Sequence, residues 1–126
     1  MLKKSLPVLS LSLLLLAGCA SQLTNLTPQQ QVRNTNNLYA VEVAFVSRQQ
    51  TIRWPSIQPK ILVGKASYDM RPTPFMTNRW EGLIPVPPGT SLIHYRYKFD
   101  FRYNRMGKPG NDSAISSDYA LKILGQ

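Results

Sequence analysis

His94-Tyr95-Arg96-Tyr97-Lys98-Phe99-Asp100-Phe101-Arg102-Tyr103 is the stretch that decides the fold class. Tyr95, Tyr97, Phe99, Phe101 and Tyr103 fall on one parity, and His94, Arg96, Lys98, Asp100 and Arg102 on the other. Successive side chains on a strand point to opposite faces, so this alternation is that of a half-buried β-strand. A helix would scatter the same aromatics around its cylinder. Arg96, Lys98 and Arg102 then project from one face, with about 7 Å between alternate positions.

The pattern extends in both directions. Trp80, Gly82, Ile84 and Val86 alternate with Glu81, Leu83 and Pro85, and Pro87-Pro88-Gly89-Thr90 makes a turn into the aromatic strand. Further upstream, Leu38 to Val46 is an apolar, β-branched and aromatic run, predicted as a strand covered on much of both faces. Ile61 to Val63 and Ser67 to Met70 predict a hairpin across Gly64-Lys65. Arg71-Pro72-Thr73-Pro74 punctuates, because proline cannot donate to a ladder. Downstream, Arg105 to Ser117, with Gly107, Pro109, Gly110 and Asn111, reads as a long loop, and Tyr119, Leu121 and Ile123 as a closing strand. Six to seven strands, regular turn punctuation and no convincing helix predict an all-β, antiparallel β-sandwich over 38–126.

Trp80 to Gly89, running on to Tyr95-Arg96-Tyr97-Lys98-Phe99, resembles immunoglobulin-like early-set domains. In the carbohydrate-binding and glycogen-branching-enzyme accessory modules of that kind, a strand, a Pro-Gly turn and a Tyr-rich strand recur. The resemblance covers about a quarter of the chain and implies an immunoglobulin-like sandwich. The paired-tryptophan sugar platform of the starch-binding modules has no residue-by-residue match, and function does not travel with a fold.

Residues 1–18 read as a secretory signal. Lys3 and Lys4 are its charged start, and the apolar run Leu6 to Ala17 falls short of the roughly 20 residues a spanning helix needs. Leu16-Ala17-Gly18-Cys19 resembles the lipobox of bacterial lipoproteins. That resemblance implies a diacylglycerol thioether on Cys19, cleavage before it, and acylation of the freed amine by a fatty acid such as palmitate. Ala20, where aspartate would signal inner-membrane retention in the enterobacterial pattern, implies the outer membrane with the domain facing the periplasm. The alternatives are an ordinary signal peptide with a chance cysteine, or an uncleaved anchor. Residues 20–37, ASQLTNLTPQQQVRNTNN, are polar and poor in large apolar side chains. Together with the lipidated Cys19 they predict a flexible tether over 19–37, with a reach of roughly 20–25 Å.

The 126-residue chain carries 15 Lys and Arg against 6 Asp and Glu. Cleavage after residue 18 removes Lys3 and Lys4, leaving 13 basic against 6 acidic residues, a net +7 over 108 residues. That length supports one domain. Such a balance favours anionic partners. For an exported protein these are lipid head groups, lipopolysaccharide phosphates or peptidoglycan carboxylates rather than nucleic acid. A plainer reading is that the charge keeps the domain soluble. The single cysteine goes to lipid, so no internal disulfide forms.

Catalytic chemistry has few parts to draw on. The one histidine, His94, sits on the polar face of the aromatic strand, and the acidic residues are scattered. Metal-ligand spacing and hydrolase triads are therefore not expected, nor is any cofactor. Asp69 and Glu81 are the only pair worth naming for glycosidase chemistry, and no feature of the sequence brings them together. Arginine beside aromatics suits anion, sugar or protein recognition. Arg53, Trp54, Arg71 and Trp80 are the candidate contacts, with Trp80 also a candidate core residue. The expectation is a non-enzymatic, membrane-anchored interaction module for an envelope protein complex. The alternative is a module that binds peptidoglycan or another anionic glycan.

Overall fold

The computed structural model describes residues 21–125. The signal peptide, the lipobox and Cys19 lie outside the described residues. Two β-sheets face one another across a single apolar core, as the alternation predicts. One has four strands in the order β1 (Gln22–Asn25), β3 (Leu38–Val46), β7 (Arg79–Pro85), β6 (Arg71–Pro72). The other runs β2 (Gln30–Val32), β10 (Tyr119–Leu124), β8 (Leu92–Tyr103), β4 (Gln58–Val63), β5 (Ala66–Asp69), with β9 (Gly110–Ile115) also on β8. All pairings are antiparallel except β2 with β10, which is parallel.

β8 is the spine of its sheet. Tyr95, Tyr97, Phe99 and Phe101 are buried, while His94, Arg96 and Arg102 point outward into solvent. From the facing sheet, Tyr39, Val41, Val43 and Phe45 of β3 and Trp80 and Ile84 of β7 close the core, and Val86 just beyond β7 joins them. Gly82 is the inward residue between Trp80 and Ile84. A Cβ there would lie 2.8 Å from Ile61 Cδ1 and 3.2 Å from the Asp69 carbonyl, so its absence lets the sheets approach.

Three expectations are corrected. β3 is buried on one face only; Ala40, Glu42 and Ala44 turn outward, their small or polar side chains suiting a face the other sheet does not cover. The predicted loop over 105–117 contains β9, so the loop proper is 104–109. Its strand is polar because only Ala114 and Gly110 face inward, and the Tyr103 ring lies over Gly110 in place of a side chain. Between Lys98 and Tyr95 the spine advances three residues while its partner, from Ile115 to Tyr119, advances four. That one-residue bulge divides β9 from β10.

The third correction concerns the tether expected over 19–37. Gln22–Asn25 and Gln30–Val32 are strands, and the domain begins at Gln22, paired with Val46, instead of at Leu38. Hydrogen bonds do here what apolar burial cannot. Tyr97 Oη donates to Asn25 Oδ1 at 2.6 Å, Asn25 Nδ2 donates to Tyr95 Oη at 3.0 Å, and the Glu42 amide donates to Thr27 Oγ1 at 2.8 Å. Burial, with a smaller contribution from Tyr95 and Tyr119 nearby, pushes the Tyr97 phenol far above its ordinary value; the Thr27 hydrogen bond opposes the shift in part. Arg33, in the same segment, donates to the carbonyls of Val86 at 2.9 Å and Thr90 at 2.5 Å.

Candidate functional site

The strand directions sort the loops into two ends. At the proximal end lie Ser21, the β3–β4 connection, the β6–β7 loop (73–78) and the β8–β9 loop (104–109). At the distal end lie Arg33, the β7–β8 turn and Gly125.

An aromatic column runs out of the core toward the proximal end. Phe99 meets Trp80 edge-on at 5.2 Å, and Phe45 packs against Phe99, Phe101 and Trp80. Trp54 closes the column, stacked on Trp80 with ring centroids 6.1 Å apart and planes within 4°. Trp80 is only 6 % exposed, Trp54 46 %. A single 3₁₀ turn, Trp54–Ser56, holds Trp54 in place, with Pro55 fixing its first step. Ser56 Oγ accepts from the Arg102 amide at 2.8 Å, and the Arg53 amide donates to the Arg102 carbonyl at 2.9 Å. Arg53 Nε donates to Asn104 Oδ1 at 2.6 Å, joining this turn to the 104–109 loop. Shallow hollows flank Trp54, one floored by Ser47, Thr77 and Asn78, the other by Pro59, Met70 and Pro72.

Three of the four predicted contact residues, Arg53, Trp54 and Trp80, thus come together, with Trp80 as the buried base. Arg71 does not join them. It lies on the outer face of the four-stranded sheet, 2.9 Å from Glu81. There Glu42 stands directly opposite Glu81, and Arg79 sits 3.8 Å from Glu42. Like charges facing across a ladder are unfavourable, and the two arginines offset that repulsion. As exposed pairs they add little further stability.

Beyond this quartet the same face turns apolar. Leu83 opposes Ala40, Leu38 opposes Pro85, and Leu26 lines the same shallow depression as Ala40 and Leu83. Leu26, Leu38 and Leu83 are all exposed. The sequence reading missed this strip, although Leu83 sits at the outward parity of its strand, where a polar residue is the rule. Arg105, Met106 and Lys108, also at the proximal end, carry no such signal in the sequence, where 105–117 reads as one long loop.

Asp69 and Glu81 each hold their own cation, Lys60 Nζ at 2.6 Å from the Asp69 carboxylate and Arg71 at 2.9 Å from that of Glu81. His94 is exposed on the outer face of its sheet. Among the described residues no group of three His, Cys, Asp or Glu side chains could hold a metal ion, and no helix is long and apolar enough to cross a membrane. No protein-family model matches the chain, and no curated protein matches it.

Proposed function

We propose that this chain is a lipid-anchored, non-enzymatic protein of the bacterial cell envelope. In this reading Cys19 carries the lipid at the outer membrane, the domain faces the periplasm, and its task is to bind another envelope protein. The observation that carries the binding role is the outer face of the four-stranded sheet. It is a strip of exposed leucines around a small alanine, bordered by a neutralised charge quartet. An exposed, contiguous apolar strip with a polar rim is suited to a protein surface. Stacking on Trp80 takes one face of Trp54, so a sugar would find a single ring there and not a platform of two.

Gentle extraction of the lipidated, tagged protein from its own membranes, followed by mass spectrometry of what copurifies, tests this role. A stoichiometric partner that is lost in Leu83→Arg, with the thermal midpoint unchanged, is the expected result. Retention on purified cell-wall sacculi, with no protein copurifying, would overturn it in favour of glycan binding.

A further inference from the structure

Ser21 Oγ donates to Ser47 Oγ at 2.7 Å, and Gln22 pairs with Val46, so the first described residue is pinned to the proximal end of the sandwich. Cys19 precedes Ser21 by two residues in the sequence. Two residues span at most about 7 Å, similar to the roughly 5–8 Å of polar headgroup layer on each side of a bilayer. A lipid on Cys19 therefore leaves this end no room to stand clear of the membrane. Its surface must already suit a headgroup layer.

The chemistry of that surface agrees. Its three connections, 47–57, 73–78 and 104–109, carry Arg48, Arg53, Arg105 and Lys108 and not one acidic residue. None of these four cations is in an ion pair among the described residues; Arg53 and Arg105 donate only to neutral oxygens. Between them stand Trp54, Met106 and Phe75, the latter two almost wholly exposed. Phe75 is the more telling. The Met76 amide donates to the Thr73 carbonyl at 3.1 Å, closing a turn with Pro74 at its second position and Phe75 at its third, where φ is +64°. That position favours glycine. An aromatic in this strained backbone with its ring fully exposed is placed to contact something outside the chain.

We propose that the proximal end docks directly onto the phospholipid surface that holds Cys19. Arg48, Arg53, Arg105 and Lys108 meet anionic headgroup phosphates, and Phe75, Trp54 and Met106 enter the interfacial layer. Tryptophan, with its polar N–H, exposed apolar side chains such as phenylalanine, and basic side chains are suited to that layer. The proposal rests on the lipid-anchor reading above.

The test uses the full lipidated protein, purified from its own membranes and reconstituted into phosphatidylethanolamine vesicles with and without phosphatidylglycerol. Vesicles with brominated acyl chains quench indoles that reach the interface. With only two tryptophans in the chain, Trp54→Phe leaves buried Trp80 as the internal control. Loss of emission over brominated lipid is expected for the wild type and absent in Trp54→Phe. It is greater with phosphatidylglycerol, and falls to the neutral-vesicle level in an Arg48→Glu, Arg53→Glu, Arg105→Glu variant. The mass of the N-terminal peptide is read on the same preparation. An acylated protein with no quenching overturns docking and leaves the anchor standing. Quenching indifferent to phosphatidylglycerol and to charge reversal overturns the headgroup recognition. A Cys19 peptide without acyl mass overturns anchor and docking together.

Discussion

Removing the Tyr97 hydroxyl probes whether the N-terminal segment is truly built into the domain. Tyr97→Phe keeps the ring in the core and deletes the donor that Asn25 Oδ1 receives at 2.6 Å. Asn25 Oδ1 keeps the Thr27 amide at 3.3 Å, so the loss is that of one hydrogen bond, about 0.5–1.5 kcal/mol at neutral pH. A second effect appears only in alkali. Burial holds the folded phenol far above its ordinary value, whereas in the unfolded chain it ionises near 10. The unfolded state therefore loses a proton above pH 10 that the folded state keeps. The stability owed to the neutral phenol is complete below that value and falls as pH rises beyond it. At about 1.36 kcal/mol per unit, raising the pH from 9 to 11 removes about 1.4 kcal/mol from this group alone. For a domain of this size that is roughly 6–11 °C of thermal midpoint. Urea unfolding followed by near-UV circular dichroism at pH 8, 9, 10 and 11 measures it. Tyrosines common to both proteins cancel in the difference, so the wild-type curve should fall more steeply than that of Tyr97→Phe by this amount. Parallel curves between pH 9 and 11 would refute the reasoning and put water within reach of the phenol.

Other consequences follow from close contacts. Gly82→Ala pushes a methyl group against Ile61 Cδ1 and the Asp69 carbonyl, and should lower stability by about 1–3 kcal/mol in denaturant titration. Phe75→Gly releases the left-handed strain at φ +64°; set against glycine's extra chain entropy, it should raise stability by up to about 1 kcal/mol in denaturant titration while removing one of the three apolar interfacial contacts. Arg33→Met removes the donors that hold the Val86 and Thr90 carbonyls. A loss of about 1.5–3 kcal/mol is expected, with faster amide exchange across the distal turns. Arg71→Ala should change the thermal midpoint by no more than a few degrees, since its pair with Glu81 is exposed.

The parts of the fold legible in the sequence are mainly those where burial writes a period of two. β8, β7 and β10 alternate because one side of each faces the core, while the β4–β5 hairpin is legible from its short apolar run and its Gly64-Lys65 turn. Where a strand is ordered by hydrogen bonds, the same reasoning goes blind. β1 places one large apolar residue, Leu23, in the core and otherwise completes the edge of β3. Asn25 and Thr27, read as solvated, are the partners of two buried tyrosine hydroxyls. β9 was hidden for a related reason, since a tyrosine ring from the neighbouring strand supplies the cover that Gly110 lacks. The candidate contacts were legible by residue type, arginine beside tryptophan, but not by place. Arg71 and Trp54 are near in kind and lie on different surfaces.

Ordering of residues 21–37 changes what an anchor at Cys19 would mean. A flexible tether of roughly 20–25 Å would let the domain tumble and present every face to the periplasm. With Cys19 lipidated, strand pairing from Gln22 onward would instead hold the proximal end at the lipid surface. Leu26 and Leu83 are level with Glu42 and Ala40 of β3, and Leu38 begins that strand, so the three lie four to eight residues from Val46. The apolar strip therefore lies roughly 13–26 Å along the strand from that end. The distal turns held by Arg33 stand higher still. A membrane-docked base and a laterally exposed strip then divide the labour. The base would consume the unpaired cations and strained Phe75, while the strip, lying beyond the headgroups, would stay open to a partner approaching from the side. Trp54 belongs to the base on this geometry and Leu83 to the strip, which is why substitutions at the two sites should fail in different assays.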